Sequence, residues 1–418
     1  MSTGSPDRHC FGLVRFGWDR VGCDLHEREV VVVSGVRTAI GDYGGSLKDF
    51  APTDLAAKCI KEALSRAKVE PQDVGHVVFG NVIHTEPKDM YFARVASMNG
   101  GLPKEVPALT LNRLCGSGLQ AIVTAAQMIK LGDTNIAVAG GGESMSRSNY
   151  WLPTARWGSK MGDQTIIDSM VGALSDPFEG MHMGVTAENV ASEYKLSRDT
   201  QDAFALESHQ RAVRAIKNGW FKEQILPIEV KHGRSTRIFD TDEHVREDVS
   251  LDSLAKLRTV FKNEGTVTAG NASGINDGAA ALVLMEKKEA ELRGIKPLAQ
   301  LVSYGHSGVD PRVMGLGPIP AVKSALAKAN LDISDIDIVE SNEAFAAQAC
   351  AVSNSLNFDP SKTNPNGGAI ALGHPVGATG SIITIKALYE LKRIQGQYAL
   401  VTMCIGGGQG IAAIFKSI

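Results

Sequence analysis

The run Val30-Val31-Val32-Val33 is apolar at every position and reads as a buried strand. From Leu55 to Ala67 the period changes, and Leu55, Cys59, Ala63 and Leu64 fall on one face of a helix. Val77-Val78-Phe79 reads as a second strand, Leu119 to Ile129 as a helix of small residues, and Ile136 to Gly140 as a further strand. Strands that alternate with helices predict an α/β chain with a mostly parallel, helix-covered sheet.

The same order returns late in the chain. Ala63-Leu64-Ser65-Arg66-Ala67-Lys68-Val69 aligns with Ala325-Leu326-Ala327-Lys328-Ala329-Asn330-Leu331 at an offset of 262 residues. At that offset Gly118 meets Gly380, Lys130 meets Lys392, and Ile136-Ala137-Val138 meets Tyr398-Ala399-Leu400. One such match arises readily between any two helix-strand units, whereas three in a single register imply a duplication. The predicted organisation is an N-terminal extension over 1–28, expected to be disordered, a first half over 29–144, an insert over 145–275 and a second half over 276–418. Within the insert, Ser197 is the expected N-cap of a helix over 198–218 that Gly219 closes. The insert also carries the basic cluster Lys231-His232-Gly233-Arg234-Ser235-Thr236-Arg237, which reads either as a solvated loop or as a phosphate site.

With 418 residues, 43% of them hydrophobic and 21% charged, the chain can bury a large core in more than one lobe. A formal net charge of -3 gives no electrostatic reason to expect nucleic acid or an anionic membrane as partner. Six cysteines are scattered, with no C-x-x-C pair and no metal-ligand spacing, so no metal site is expected. Free thiols suit a reducing compartment, and the cytoplasm is the expected location. Residues 1–28 mix Arg8, Arg15, Arg20 and Arg28 with Asp7, Asp19, Asp24 and Glu27, which fits neither a secretory signal nor a transit peptide. No apolar run reaches the roughly 20 residues of a membrane span.

The candidate chemistry sits where glycines crowd a thiol or an imidazole. Cys115 stands just before the small-residue helix, whose first turn carries Gly116, Ser117 and Gly118. A helix N-terminus there would lower the pKa of the thiol and hold an oxyanion. His374 lies in Gly373-His374-Pro375, on the loop of the second half that matches the Cys115 loop of the first. If the halves pack about a pseudo-twofold axis, the two loops converge. Cys404 ends the strand from Tyr398 to Met403 ahead of Gly406-Gly407-Gly408, and Asn342 follows the strand from Ile336 to Glu340. Catalytic groups in such sheets collect at strand carboxyl ends, so these four residues could share one cleft.

Cys115-Gly116-Ser117-Gly118, Asn342-Glu343-Ala344-Phe345, Gly373-His374-Pro375 and Cys404-Ile405-Gly406-Gly407-Gly408, in that order, resemble the signature motifs of the thiolases. The resemblance is strongest to biosynthetic acetyl-CoA acetyltransferases and bacterial β-ketothiolases, and it runs from about residue 28 to the C-terminus. It implies a five-layered αβαβα core of two duplicated halves with an inserted loop domain. It also implies reversible Claisen condensation of two acyl-CoA to β-ketoacyl-CoA and CoA through an acyl-cysteine. In that scheme Cys115 is the nucleophile, His374 accepts its proton and Cys404 is the base. One oxyanion site lies between His374 and a water held by Asn342, the other at the N–H groups of Cys115 and Gly406. By the same resemblance Leu174, His182, Met183, Arg246, Ser253, Phe261, Ala269, Ser273, Met314, Ala344 and Phe345 line the CoA tunnel, with Arg246 preferred over the 231–237 cluster for the phosphate end.

The family further implies acetyl-CoA, acyl-CoA and β-ketoacyl-CoA as partners, no permanently bound cofactor, a homotetramer built as a dimer of dimers, and a place in fatty-acid or polyhydroxyalkanoate metabolism. Ser341 departs from the alanine common before the Asn-Glu-Ala-Phe motif, adding polarity without removing a catalytic group. Two alternatives remain at this point: a ketoacyl-synthase-type condensing enzyme, which would not need Cys404, and a non-catalytic thiolase-like lipid carrier, which would not need all four reactive residues.

Overall fold

A computed structural model describes residues 28–418. The expectation of a disordered extension falls on residues outside that range, except for Arg28, whose guanidinium donates to the side chain of Asn135. The strands that carry the architecture are β1 (Val30–Thr38), β2 (His76–Gly80), β3 (Ala108–Leu111), β4 (Ile136–Ser144), β5 (Asn276–Glu286), β6 (Ala299–Gly308), β7 (Ile338–Ser341), β8 (Tyr398–Ile405) and β9 (Gln409–Ser417). They form a row in the order β3-β2-β4-β5-β1-β6-β9-β8-β7. The principal helices are α1 (Pro52–Ala67), α2 (Phe92–Asn99), α3 (Ser117–Leu131), α4 (Met183–Glu193), α5 (Arg198–Lys217), α6 (Pro318–Ala329), α7 (Ala346–Leu356) and α8 (Val376–Ile394).

Five layers follow from this order. α1 packs outside the β1, β4 and β5 part of the sheet, α6 packs outside the β6, β8 and β9 part, and α3 and α8 lie together between the two. β1 and β5 are buried at every position, as a strand with helices on both faces requires. α8 is buried from Val376 to Leu388, which explains why its sequence shows no clean amphipathic stripe.

The duplication is legible in the backbone. Lys68, which ends α1, and Asn330, which ends α6, both adopt left-handed φ values, 54° and 53°. Short 3₁₀ turns at Pro71–Asp73 and Ile333–Asp335 follow them at the same offset. On the pseudo-twofold seam Gly118 of α3 faces Gly380 of α8. A Cβ on Gly380 would come within 2.2 Å of the Leu119 nitrogen, and one on Gly118 within 2.6 Å of the Ser381 nitrogen. Glycine at both positions lets the helices touch backbone to backbone.

One expected boundary shifts. β5 was expected to open the second half, but its neighbours in the sheet are β1 and β4, both from the first. The chain re-enters the first half's sheet after the insert, and by strand neighbourhood we place 276–286 with that half. The insert is anchored by a buried pair: Arg37 on β1 donates from both terminal nitrogens to Asp242, at 2.7 and 3.0 Å, and from Nε to Gln224 at 2.8 Å. Two fully desolvated charges are tolerated because geometry and hydrogen bonds satisfy both. Within the insert, Ser197 caps α5 as expected, accepting from the Thr200 N–H. The basic cluster lies on an antiparallel hairpin of Ile228–His232 with Ser235–Phe239.

Candidate active site

Cys115 occupies a tight turn between the isolated bridge Arg113–Cys115 and the start of α3. Leu114 takes φ +43°, a left-handed conformation unfavourable for a leucine. The turn is held by three hydrogen bonds. Leu114 N donates to Asn112 Oδ1, Ser117 Oγ donates to Leu114 O, and Arg113 N donates to Ser117 Oγ. The turn aims the Cys115 thiol at the second half. There the Gly406 N–H, together with that of Cys115 itself, points at the sulfur.

These donors lower the pKa of Cys115, but burial outweighs them and pushes the thiol up to about 11. That corrects the expectation of a thiol acidified by a helix N-terminus. The dipole acts at this position, yet the cost of desolvating a thiolate is larger. Cys404, fully buried on β8, is raised further by burial and by the proximity of Cys115. Both sulfurs are therefore neutral thiols in the resting protein.

His374 reaches the same point from the loop before α8. Gly373 has φ +107°, and a Cβ on it would come within 2.5 Å of the Asn276 side chain, so only glycine fits. The His374 N–H donates to Asn276 Oδ1 at 2.9 Å, which fixes the loop. Thr379 Oγ1 donates to Pro375 O at 2.9 Å and lies 2.7 Å from His374 Nδ1. With the hydroxyl proton used, Nδ1–H must donate to it, and Nε2 keeps a lone pair facing the site. Burial lowers the imidazole to about 4, so it is neutral and ready to take a proton. Asn342 donates from Nδ2 to that Nε2 at 3.4 Å, while its Oδ1 is buried without a partner.

A cavity of about 500 Å³ opens in front of this group. Cys115, His374 and Gly406 line its inner end, and Leu174, His182, Met183, Arg246, Phe261, Ala269, Ser273, Met314, Ala344 and Phe345 line the rest. Asn342 and Cys404 are not on its surface. They are buried at the inner end, with 2% and 0% exposure. Ser253 is displaced from the expected set. It lines an adjoining cavity of about 350 Å³ that shares His244, Arg246 and Ala269 with the first. None of residues 231–237 lines either cavity, which leaves exposed Arg246 at the junction as the cation for an anionic end.

The tunnel wall is built from aromatic stacking. The His182 ring lies on Phe261 at 4.7 Å and 15°, and Phe261 meets Phe345 edge-on at 6.3 Å. A Cβ on Gly184 would strike Phe261 at 2.2 Å, so glycine there makes room for the stack. His182 Nδ1 accepts the Gly184 N–H and caps α4, which holds its ring in place.

Several positions that shape the site had no role assigned to them from the sequence. Glu143, at the end of β4, accepts two N–H donors on each oxygen: Asn81 Nδ2 and Ile83 N on Oε1, Val82 N and Gly377 N on Oε2, all at 2.9 to 3.1 Å. It ties the first half to the first turn of α8, beside His374, and burial pushes its carboxyl up to about 8. Glu343 is similarly buried and holds Ser208 of the insert, Asn364 and the Ile370 N–H. Asp42, Tyr43 and His244 also line the tunnel, His244 Nδ1 lying 2.8 Å from Asp42 Oδ1.

Known proteins share this arrangement over nearly the whole chain. Residues 30–288 match the family model for a thiolase N-terminal domain and residues 295–417 that for a thiolase C-terminal domain. The chain is 66% identical over 392 residues to the beta-ketothiolase BktB of Cupriavidus necator, covering 94% of this chain and all of the relative. It is 48% identical to an acetyl-CoA acetyltransferase of Syntrophomonas wolfei, covering 94% of this chain and all of that one. The crystal structure of human mitochondrial 3-ketoacyl-CoA thiolase in complex with CoA superposes with a TM-score of 0.91 at 48% identity, covering 94% of this chain and 98% of that one.

Proposed function

Because the chain belongs to the thiolase family of acyltransferases, we propose that it joins two acyl-CoA molecules into a β-ketoacyl-CoA and free CoA, and runs the reverse thiolysis, at the site around Cys115. The observation that carries this reading is the meeting of two neutral thiols, a neutral imidazole whose Nε2 carries a lone pair beside Asn342, and two inward backbone N–H groups at the end of one tunnel.

In the first half-reaction the Cys115 sulfur attacks the thioester carbon of an acyl-CoA while its proton passes to His374 Nε2. With the thiol near 11 and the imidazole near 4, a free thiolate–imidazolium pair is unfavourable, so proton transfer accompanies C–S bond formation. The carbonyl oxygen becomes an oxyanion that the N–H groups of Cys115 and Gly406 receive, and CoA departs with the proton of the Cys404 thiol, which leaves Cys404 as a thiolate and His374 protonated. In the second half-reaction the Cys404 thiolate takes a C2 proton from acetyl-CoA, whose thioester oxygen accepts from the protonated His374 Nε2 and from a water held by Asn342. The C2 carbanion then attacks the acyl-enzyme. A dry, buried base suits this step, since a thiolate generated there has no water to stabilise it and is strongly basic.

The tunnel suits a pantetheine arm along its apolar wall, with Arg246 and Ser253 at the nucleotide end. We extend to this chain a homotetramer built as a dimer of dimers, a cytoplasmic location, CoA thioesters as substrates without a resident cofactor, and a role in fatty-acid or polyhydroxyalkanoate metabolism. In support of the location, no helix of the described residues is long and apolar enough to cross a membrane. The buried Cys404 beside Cys115 favours this reading over a ketoacyl synthase or a non-catalytic carrier. The test is incubation with acetyl-CoA alone. One equivalent of CoA should be released and one acetyl group should appear on the peptide carrying Cys115; a protein that releases no CoA is not a thiolase.

A further inference from the structure

Asn342 and His374 reach each other from separate stretches of chain, and each stretch runs back to one buried lysine. Asn342 follows β7, whose third residue is Glu340. His374 stands just before α8, which carries Lys386 ten residues beyond Val376, about 15 Å along the helix axis. Lys386 Nζ donates to Glu340 Oε2 at 2.9 Å and to Gly367 O at 2.7 Å, and Gly367 lies in the segment that leads into Gly373-His374. The path from Glu340 through Asn342 to His374, along α8 to Lys386 and back to Glu340 is therefore a closed ring. The 3.4 Å contact of Asn342 with His374 closes it at one end and the ion pair at the other.

Both partners of the pair are 2% exposed at their side chains. Among the described residues Lys386 is the only hydrogen-bond donor to Glu340, whose Oε1 is buried without a partner. Burial raises the Glu340 carboxyl, Lys386 pulls against that shift, and the nearby Glu343 and Glu390 add to it. An ion pair this dry contributes little net stability, since well-packed apolar side chains of similar volume often do as well. What it does supply is a fixed distance. Asn364 brackets the Ser341 backbone, accepting its N–H at 2.9 Å and donating to its carbonyl at 2.8 Å, so the end of β7 and the segment through Gly367 form one unit. The single ammonium of Lys386 holds that unit at one point of α8.

On the thiolase reading, we infer that Lys386 is a positioning residue for the condensation step: by gripping Glu340 and Gly367 it sets the register of β7 against α8, and with it the place where Asn342 meets Nε2 of His374. Neither Lys386 nor Glu340 lines the tunnel, so both act through Asn342 and not on the substrate. Cys115 and Gly406 stand outside the ring, and His374 has its own anchors in Asn276 and Thr379. Acylation of Cys115 is thus independent of the pair, whereas removal of the C2 proton uses the oxygen site that His374 and Asn342 share.

The readouts are the rate at which acetyl-CoA acetylates Cys115 and kcat for condensation, in wild type, Lys386→Met and Glu340→Gln, and again with Asn342→Ala added to each. Lys386→Met keeps the apolar stem and removes the ammonium. It should lower condensation kcat by about ten-fold or more with KM little changed, the scale on which a displaced group acts from a distance, while acetylation stays within about two-fold. On the Asn342→Ala background the same change should cost less than about two-fold, because the group it positions is gone. Glu340→Gln should show the same split, and it decides the matter alone if Lys386→Met does not fold. Condensation within about two-fold of wild type, an equal loss in both half-reactions, or a full second loss on the Asn342→Ala background overturns the inference and leaves the thiolase reading intact. Wild type that takes no acetyl group overturns both.

Discussion

The Asn342 side-chain nitrogen lies 3.4 Å from Nε2 of His374, and the ring is oriented by Thr379 on its other nitrogen. Each group comes from a different loop of the second half, so one side of the site is preset before any substrate enters. Asn342→Ala removes the polar group beside Nε2 without touching Thr379. It should lower kcat by about 10²–10³-fold with a smaller change in KM, the signature of a contact made in the transition state. Steady-state condensation and thiolysis kinetics read this directly, and an unchanged kcat would remove Asn342 from the oxyanion role.

The two thiols should separate by half-reaction. Cys115→Ala should accept no acetyl group from acetyl-CoA. Cys404→Ala should still be acetylated, seen by intact-protein mass spectrometry, while condensation falls by about 10²–10⁴-fold for want of the base. Normal condensation by the second variant would mean that another group takes the C2 proton.

Burial sets a pH signature for Cys115. A thiol held near 11 is almost wholly protonated at neutral pH, so alkylation of the free protein by iodoacetamide should accelerate steadily with rising pH. The sign follows from the shift: raising the pKa moves thiolate formation upward, so no plateau should appear near neutrality. A plateau below about pH 8 would instead indicate a thiolate stabilised by the helix N-terminus.

Glu143 offers a test away from the reacting atoms. Its carboxylate receives four N–H donors, whereas the amide of Glu143→Gln would turn its own N–H groups toward two of them. Lost hydrogen bonds and unsatisfied donors should cost about 1–3 kcal/mol in stability. Because Gly377 follows His374 closely, kcat should fall more than KM rises. Glu143→Asp, which keeps a carboxyl group but shortens its reach, should recover less than full activity. Equal stability and activity in Glu143→Gln would show that the loop does not depend on this anchor.

Much of this was legible in the sequence because the chemistry is carried by short motifs with strong backbone demands. Gly373 and the Cys115 turn each announce a loop where only certain residues fit, and the repeat located their convergence. What stayed hidden depends on partners distant in sequence. Glu143 gains its role from Gly377, 234 positions away, and His374 is fixed by Asn276, 98 positions away. The return of β5 to the first half was equally invisible, because a uniformly apolar strand fits either sheet. The pKa of Cys115 could not be read from its place before a helix, since burial depends on what the second half lays over it.

The seam between the halves is narrow: β1 and β6 run antiparallel with Val31 opposite Gln300 and Val32 opposite Ala299. Short as it is, this pairing leaves neither half with a free strand edge there, while α3 and α8 interlock at Gly118 and Gly380. Neither half can melt without stripping the other of a sheet neighbour and a helix partner. Each half therefore acts as the other's edge cover, and melting of either one lays bare a strand edge and a helix face on its neighbour.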